Sequence, residues 1–178
     1  MVQIHNPTLA PEVKEQFKKP YYVDVIRLIH SRESVYMDLG FSRDNTKVIY
    51  LYRLAYTPSV LKILSGLLQD KVSEYEDMIT SIELPTDSHK DIEREHLEGK
   101  IEINEKYKGP EFVNVLRVGY RYDIFSMDVG YIKESVTDIG EANYTKRFVF
   151  SPHTAKIFSR TIYDNVELYE KKHGEIII

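Results

Sequence analysis

Three charged positions recur in both halves of the chain, and they carry the side chains best suited to chemistry. They are Arg27, Asp38 and Arg53 in the first half and Arg117, Asp128 and Arg147 in the second half. A carboxylate flanked by two guanidinium groups is typical of an anion-binding site or an acid–base cluster. It is also typical of a clamp, because arginine and aspartate form charge-assisted hydrogen bonds across neighbouring strands. We favour the clamp, since cross-strand ion pairs are common in proteins, and keep ligand binding as the alternative.

No other residues form a recognised catalytic or metal-binding pattern. His89 and His96 lie two helical turns apart in a charged stretch, but a zinc site would need a third ligand from elsewhere. The chain has no cysteine, which excludes disulfides, thiolate metal sites and a cysteine nucleophile. It also lacks the serine elbow, the glycine-rich phosphate loop and the H-E-x-x-H zinc motif. We therefore predict no catalytic residue, no metal and no cofactor, and an enzyme is the less favoured class.

The charged positions lie in a tandem repeat, so the elements that carry them are predicted twice. Residues 20–40 correspond to residues 110–130 at a constant offset of 90, which indicates two similar units. Each unit begins with an apolar strand, over 21–30 and 112–120. Two further strands follow, and the short turns between them favour an antiparallel meander. A Thr-Pro or Ser-Pro pair then begins a helix with one apolar stripe, at an offset of 94.

These patterns predict an α+β protein made of two tandem β-β-β-α units. One helix packs on each antiparallel meander, and the units are related by a pseudo-twofold axis, as in a homodimer fused into one chain. We place an N-terminal arm at 1–19, the first unit at 20–84, a charged linker at 85–109 and the second unit at 110–178. Within the linker, Thr86 to Ser88 is predicted to cap a short helix, and Lys100 to Lys106 is predicted to form a short edge strand.

Four short segments of the second unit form a signature. They are Phe112-Val-Asn114, Asp128-Val-Gly130, Ser151-Pro-His-Thr-Ala-Lys156, and Asn165 followed by Tyr169-Glu170 and Gly174. This signature resembles a family of bacterial and archaeal domains of unknown function. The first unit keeps Pro58, Lys62, Tyr75 and Glu76, but it has Thr57 in place of the serine and lacks the terminal glycine. The resemblance implies a prokaryotic tandem of that domain with a diverged first copy, and it implies no activity.

Composition and charge argue against nucleic-acid and membrane partners. The formal net charge of −4 gives no field that would attract a polyanion. No window approaches the roughly 18 apolar residues of a membrane-spanning helix. The first residues also lack the pattern of a signal peptide. We therefore expect a cytoplasmic protein.

Two groups of apolar residues are candidates for binding a protein. Tyr50, Tyr52 and Tyr56 belong either to the core or, if exposed, to a binding face. Ile176, Ile177 and Ile178 belong either to an extra strand or to a contact with a partner. We predict a non-catalytic protein-interaction or assembly module with a protein partner or self-association. The alternatives are a small-ligand-binding or catalytic protein that uses the Arg and Asp residues at the interface between units, and a holdase-like chaperone.

Overall fold

The computed structural model describes residues 19–43, 47–84, 101–132 and 142–178. Three sequence-based predictions lie outside these residues. They are the arm before Lys19, the short helix capped at Thr86 to Ser88, and the pair His89 and His96.

The structure confirms the α+β class and the two β-β-β-α units. The strands are β1 Tyr21–Tyr22, β2 Val25–His30, β3 Val35–Arg43, β4 Lys47–Tyr56, β5 Ile101–Phe112, β6 Val115–Arg121, β7 Ile124–Tyr131 and β8 Asn143–Phe150. The helices are α1 Pro58–Met78, after β4, and α2 Pro152–His173, after β8. Neither helix is long and apolar enough to cross a membrane, and the described part of the chain contains no other candidate.

Both helices begin and pack as their sequences predict. The Thr57 side chain accepts a hydrogen bond from the Val60 amide, and the Ser151 side chain accepts one from the Thr154 amide. A proline follows each cap, where its missing N–H has no helical partner. The predicted apolar stripes are buried, Leu61, Leu64, Leu68, Val72 and Tyr75 in α1 and Ala155, Phe158, Ile162, Val166 and Tyr169 in α2.

Each of the two sheets contains one predicted meander and one additional strand. β2, β3 and β4 pair antiparallel, and so do β6, β7 and β8. Each meander then gains a parallel strand from the other half, β5 beside β4 and β1 beside β8. The predicted first strands are therefore divided, because 21–30 contributes β1 to one sheet and β2 to the other. β5 covers residues 101–106 of the edge strand predicted in the linker and continues to Phe112.

Two buried valines make the crossings between the sheets. The Val23 amide donates to the carbonyl of Val149 over 3.0 Å, and the Val113 amide donates to the carbonyl of Ala55 over 2.9 Å. Val23 and Val113 are fully buried. The two crossings occupy equivalent positions, so each half supplies one strand to the other half in the same way. The core is consequently continuous between the halves.

A β-bulge follows the aspartate of each middle strand. The register shifts between Leu39 and Gly40 in one half and between Val129 and Gly130 in the other. A Cβ at Gly40 would overlap the backbone carbonyl of Ile49, so only glycine allows β4 to approach this closely. The shift also turns one tyrosine of the third strand, Tyr50 or Tyr144, toward the face of the aspartate.

We predict that Gly40→Ala lowers the free energy of unfolding by about 1–3 kcal/mol, because the added methyl group must displace backbone. Urea denaturation monitored by circular dichroism measures the change. The control is Gly66→Ala in α1, where a Cβ meets nothing within 4 Å. That control should gain about 0.5–1 kcal/mol from helix propensity. Equal effects of the two substitutions would contradict the predicted overlap.

Candidate functional site

The six predicted charged residues form two clusters, one in each half. In the first, Arg27 Nε lies 2.9 Å from Asp38 Oδ2, and Arg53 Nε lies 2.7 Å from Asp38 Oδ1. Asp38 is opposite Arg27 on β2 and opposite Arg53 on β4, so the meander itself brings the three together. The carboxylate is fully buried, whereas each guanidinium group keeps about a quarter of its side chain exposed.

The second cluster repeats this geometry. Arg117 Nη2 and Arg147 Nε each lie 2.6 Å from the Asp128 carboxylate, which is 2% exposed. The hydrogen bond to Asp128 raises the pKa of Arg147 further. Each cluster therefore holds one buried carboxylate between two cations from the neighbouring strands.

A tyrosine ring supports one arginine of each cluster. The Arg27 guanidinium lies 4.6 Å from the centre of the Tyr50 ring, and that of Arg117 lies 5.0 Å from the Tyr144 ring. These are the tyrosines that the bulges turn toward the aspartates. Burial raises the pKa of both phenols, so their rings stay neutral at physiological pH. The ring face attracts the cation and fixes its position over the strand.

This arrangement has the form of a cross-strand clamp. The aspartate of each cluster accepts two hydrogen bonds from Arg53 or Arg147 and two from Arg27 or Arg117. A buried carboxylate needs this compensation, because burying an unpaired charge is costly. The prediction that these residues bind a ligand stays a prediction.

The tyrosines predicted for either the core or a binding face lie in the core. Tyr50, Tyr52 and Tyr56 are all buried. The Tyr52 hydroxyl donates to the Tyr21 hydroxyl over 2.8 Å, and burial raises the pKa of Tyr52 strongly. Burial likewise raises the pKa of Tyr56. These residues act in the core and offer no exposed surface.

The C-terminal isoleucines divide into one buried residue and two exposed ones. Ile176 is buried, whereas Ile177 and Ile178 are 84% and 73% exposed. They form no strand, since the chain after α2 has no regular secondary structure. Of these three isoleucines, Ile177 and Ile178 are therefore the ones available to contact a partner.

Two equivalent ion pairs join the helices, and sequence reasoning missed both. Lys62 of α1 donates to Glu170 of α2 over 2.8 Å and to the carbonyl of Ile176 over 2.9 Å. The Ile176 amide donates to the same carboxylate over 3.0 Å. We call these three residues the α2 clasp.

The α1 clasp is its counterpart. Lys156 of α2 donates to Glu76 of α1 over 2.7 Å and to the carbonyl of Ile82 over 2.6 Å, and the Ile82 amide donates to Glu76 over 2.8 Å. The lysine and glutamate of both clasps are signature residues that the two copies share. That shared identity is the sequence signal that pointed to them.

An exposed apolar surface lies at the end of α1. We call it the α1-end patch, and it consists of Met78 and Ile79 from the first half and Tyr122 and Ile124 from the second half, which are 73%, 50%, 75% and 42% exposed. The Tyr120 hydroxyl lies 3.7 Å from Met78 Sδ, which brings the β6–β7 turn beside the helix end. The equivalent positions at the end of α2 are Lys172, His173, Arg32 and Ser34.

A groove of about 440 Å³ lies between the helices beside the α1 clasp. Val72, Leu84 and Tyr163 supply apolar walls, and Lys156 and Arg160 supply cations. None of the six predicted ligand-binding residues lines it. Among the described residues, no group of three or more His, Asp or Glu side chains is placed to hold a metal ion.

No family model and no curated protein matches the sequence. The resemblance of the second unit to the bacterial and archaeal domain family therefore stays a prediction, and so does the cytoplasmic location.

We predict that Asp38→Asn lowers the free energy of unfolding by about 3 kcal/mol, because the neutral amide leaves two cations without their shared counter-charge. Chemical denaturation measures the change. Glu74→Gln is the control, since it breaks an exposed pair with Lys71, and such pairs contribute little. If Asp38→Asn kept wild-type stability, the clamp interpretation would fail and the carboxylate would need another role.

We predict that Lys62→Met raises the pKa of Glu170 but leaves that of Glu76 unchanged. Hydrogen bonds from Lys62 and from the Ile176 amide hold the pKa of Glu170 below its usual value. A lowered carboxyl pKa stabilises the fold above the unfolded pKa, and this stabilisation is lost as the pH falls through the folded pKa. NMR titration of the two carboxyl groups measures both values, and Lys156→Met should give the reverse result. A Glu170 pKa that does not respond to Lys62→Met would contradict the assignment.

Proposed function

We propose that this protein is a non-catalytic protein-interaction module and that the α1-end patch is its binding surface. The observation that carries the proposal is the exposure of Met78, Ile79, Tyr122 and Ile124 at one end of the molecule. Contiguous exposed apolar residues are typical of sites that bind another protein. Methionine and tyrosine are also enriched in such interfaces.

Comparison of the halves indicates that the patch is not required for folding. The corresponding positions at the end of α2 carry Lys172, Arg32 and Ser34. Charged and polar residues therefore also occur where a helix of this protein ends beside a connection between strands. The apolar residues at the end of α1 are better explained by a partner that covers them.

The charged clusters support a non-catalytic interpretation. Asp38 and Asp128 are buried and hydrogen-bonded to arginines of their own sheets. A ligand would have to displace these bonds before it could reach the carboxylates. The groove between the helices also lies away from the six residues of the alternative site.

The test is affinity capture of the tagged protein from its native cells at moderate salt, followed by mass spectrometry. A variant with Met78→Lys, Ile79→His, Tyr122→Arg and Ile124→Ser carries the residues that the other half has at these positions. We expect one or two stoichiometric partners with the wild type, and their loss with this variant. Thermal unfolding checks that the variant folds.

The control is Leu168→Glu, which replaces an exposed apolar residue outside the patch. Glutamate is the residue at the equivalent position of α1, Glu74. This variant should keep the partners. Partners that stay bound to the patch variant, or a wild-type protein that captures nothing, would overturn the proposal. A heterogeneous set of unfolded clients would instead support a holdase-like chaperone.

A further inference from the structure

The end of α2, which corresponds to the end of α1, contains two facing histidines. His30 is the last residue of β2, and His173 is the last residue of α2. Their ring centres lie 6.0 Å apart with nearly perpendicular planes. The Tyr169 ring lies against both, 5.8 Å from His30 and 4.7 Å from His173. The Tyr169 hydroxyl donates to the carbonyl of Arg32, which joins the helix end to the β2–β3 turn.

One nitrogen of each imidazole is buried without a hydrogen-bond partner among the described residues. These atoms are His30 Nδ1 and His173 Nε2. In a neutral ring such a nitrogen can carry only its lone pair, because the proton occupies the other nitrogen. In an imidazolium ion both nitrogens carry protons, and a buried N–H without an acceptor is unfavourable. The closed junction therefore disfavours a proton on His173 Nε2.

The charges around the pair act in the same direction. Lys172 on α2, Arg32 in the β2–β3 turn and His30 on β2 each disfavour a proton on His173. Glu170, one turn earlier on α2, is bound to Lys62 in the α2 clasp. Burial is the largest cause that lowers the pKa of His173, and these positive groups add to it.

We propose that the His30–His173 junction is an acid-sensitive latch, and that protonation of His173 releases the end of α2 from the β2–β3 turn. The released segment includes the last turn of α2 and the α2 clasp. The α1 end has no such latch, because Tyr120 and Ile79 occupy the positions of the two histidines.

The direction of the pH effect follows from the pKa of His173. Its folded value lies below the ordinary value of about 6.5. Well above that value His173 is neutral in both the open and the closed state, and pH has no effect. As the pH falls toward the lowered pKa, His173 binds a proton in the open state but not in the closed state. Opening then increases by up to about tenfold per pH unit.

The experiment is amide hydrogen exchange by NMR on the full chain between about pH 7.5 and 5.5. The Gly174 amide donates to the carbonyl of Glu170, and the Ile176 amide donates to its carboxylate. At the α1 end, the amide of the C-cap residue Ile79 donates to the carbonyl of Tyr75, and the Ile82 amide, the counterpart of Ile176, donates to the Glu76 carboxylate. We expect the protection factors of Gly174 and Ile176 to fall by up to about tenfold over this range. Those of Ile79 and Ile82 should stay constant.

Two variants isolate the histidines. The double variant His30→Tyr/His173→Ile carries the residues found at the α1 end. In this variant the fall in protection at Gly174 should disappear. His173→Gln provides a second test if the double variant does not fold, and it should weaken the pH dependence. A fall of equal size at Ile79 and Gly174, or a fall that persists in folded variants without these imidazoles, would overturn the latch.

Discussion

The exchange of strands between the halves is the constraint on which the rest of the structure depends. Val23 and Val113 carry the backbone from one sheet to the other, and each makes its bridging hydrogen bond in the interior. Neither half can complete its four-stranded sheet alone, because the fourth strand comes from the other half. The clasps repeat this dependence in the helix layer, where each lysine binds the end of the opposite helix. A unit of this size also buries little apolar surface by itself, which favours a shared core.

Approximate symmetry makes the differences between the halves informative. Both halves keep the buried aspartate, its two arginines and the glycine of the bulge, so these residues serve the architecture that the halves share. The helix ends have diverged, since the α1 end presents Met78 and Ile79 to solvent and the α2 end brings His30 and His173 together. A structural requirement would act on both halves equally. The proposed binding surface and the proposed pH response each need only one of these ends.

The local patterns of the sequence predicted most of the fold, because helix caps, apolar stripes and strand alternation depend on neighbouring residues. The pairing of Asp38 with arginines was predictable for the same reason, since opposite positions of a meander share a face. The parallel pairing of β1 with β8 and of β5 with β4 was missed, because it joins distant segments. The clasps were missed likewise, as Lys62 and Glu170 are 108 residues apart. Tyr50 faces the aspartate only because of the bulge, which simple alternation cannot predict.

The exchanged strands make the two halves one cooperative structure. Met37 and Met127 occupy equivalent buried positions, one in each half, and their methyl groups report on the two halves separately. We would follow both methyl signals by NMR through a urea titration of the full chain. We expect one midpoint and one slope for both signals, because loss of either half removes a strand from the other. Two separate transitions would contradict this cooperativity, since each half would then be stable without its exchanged strand.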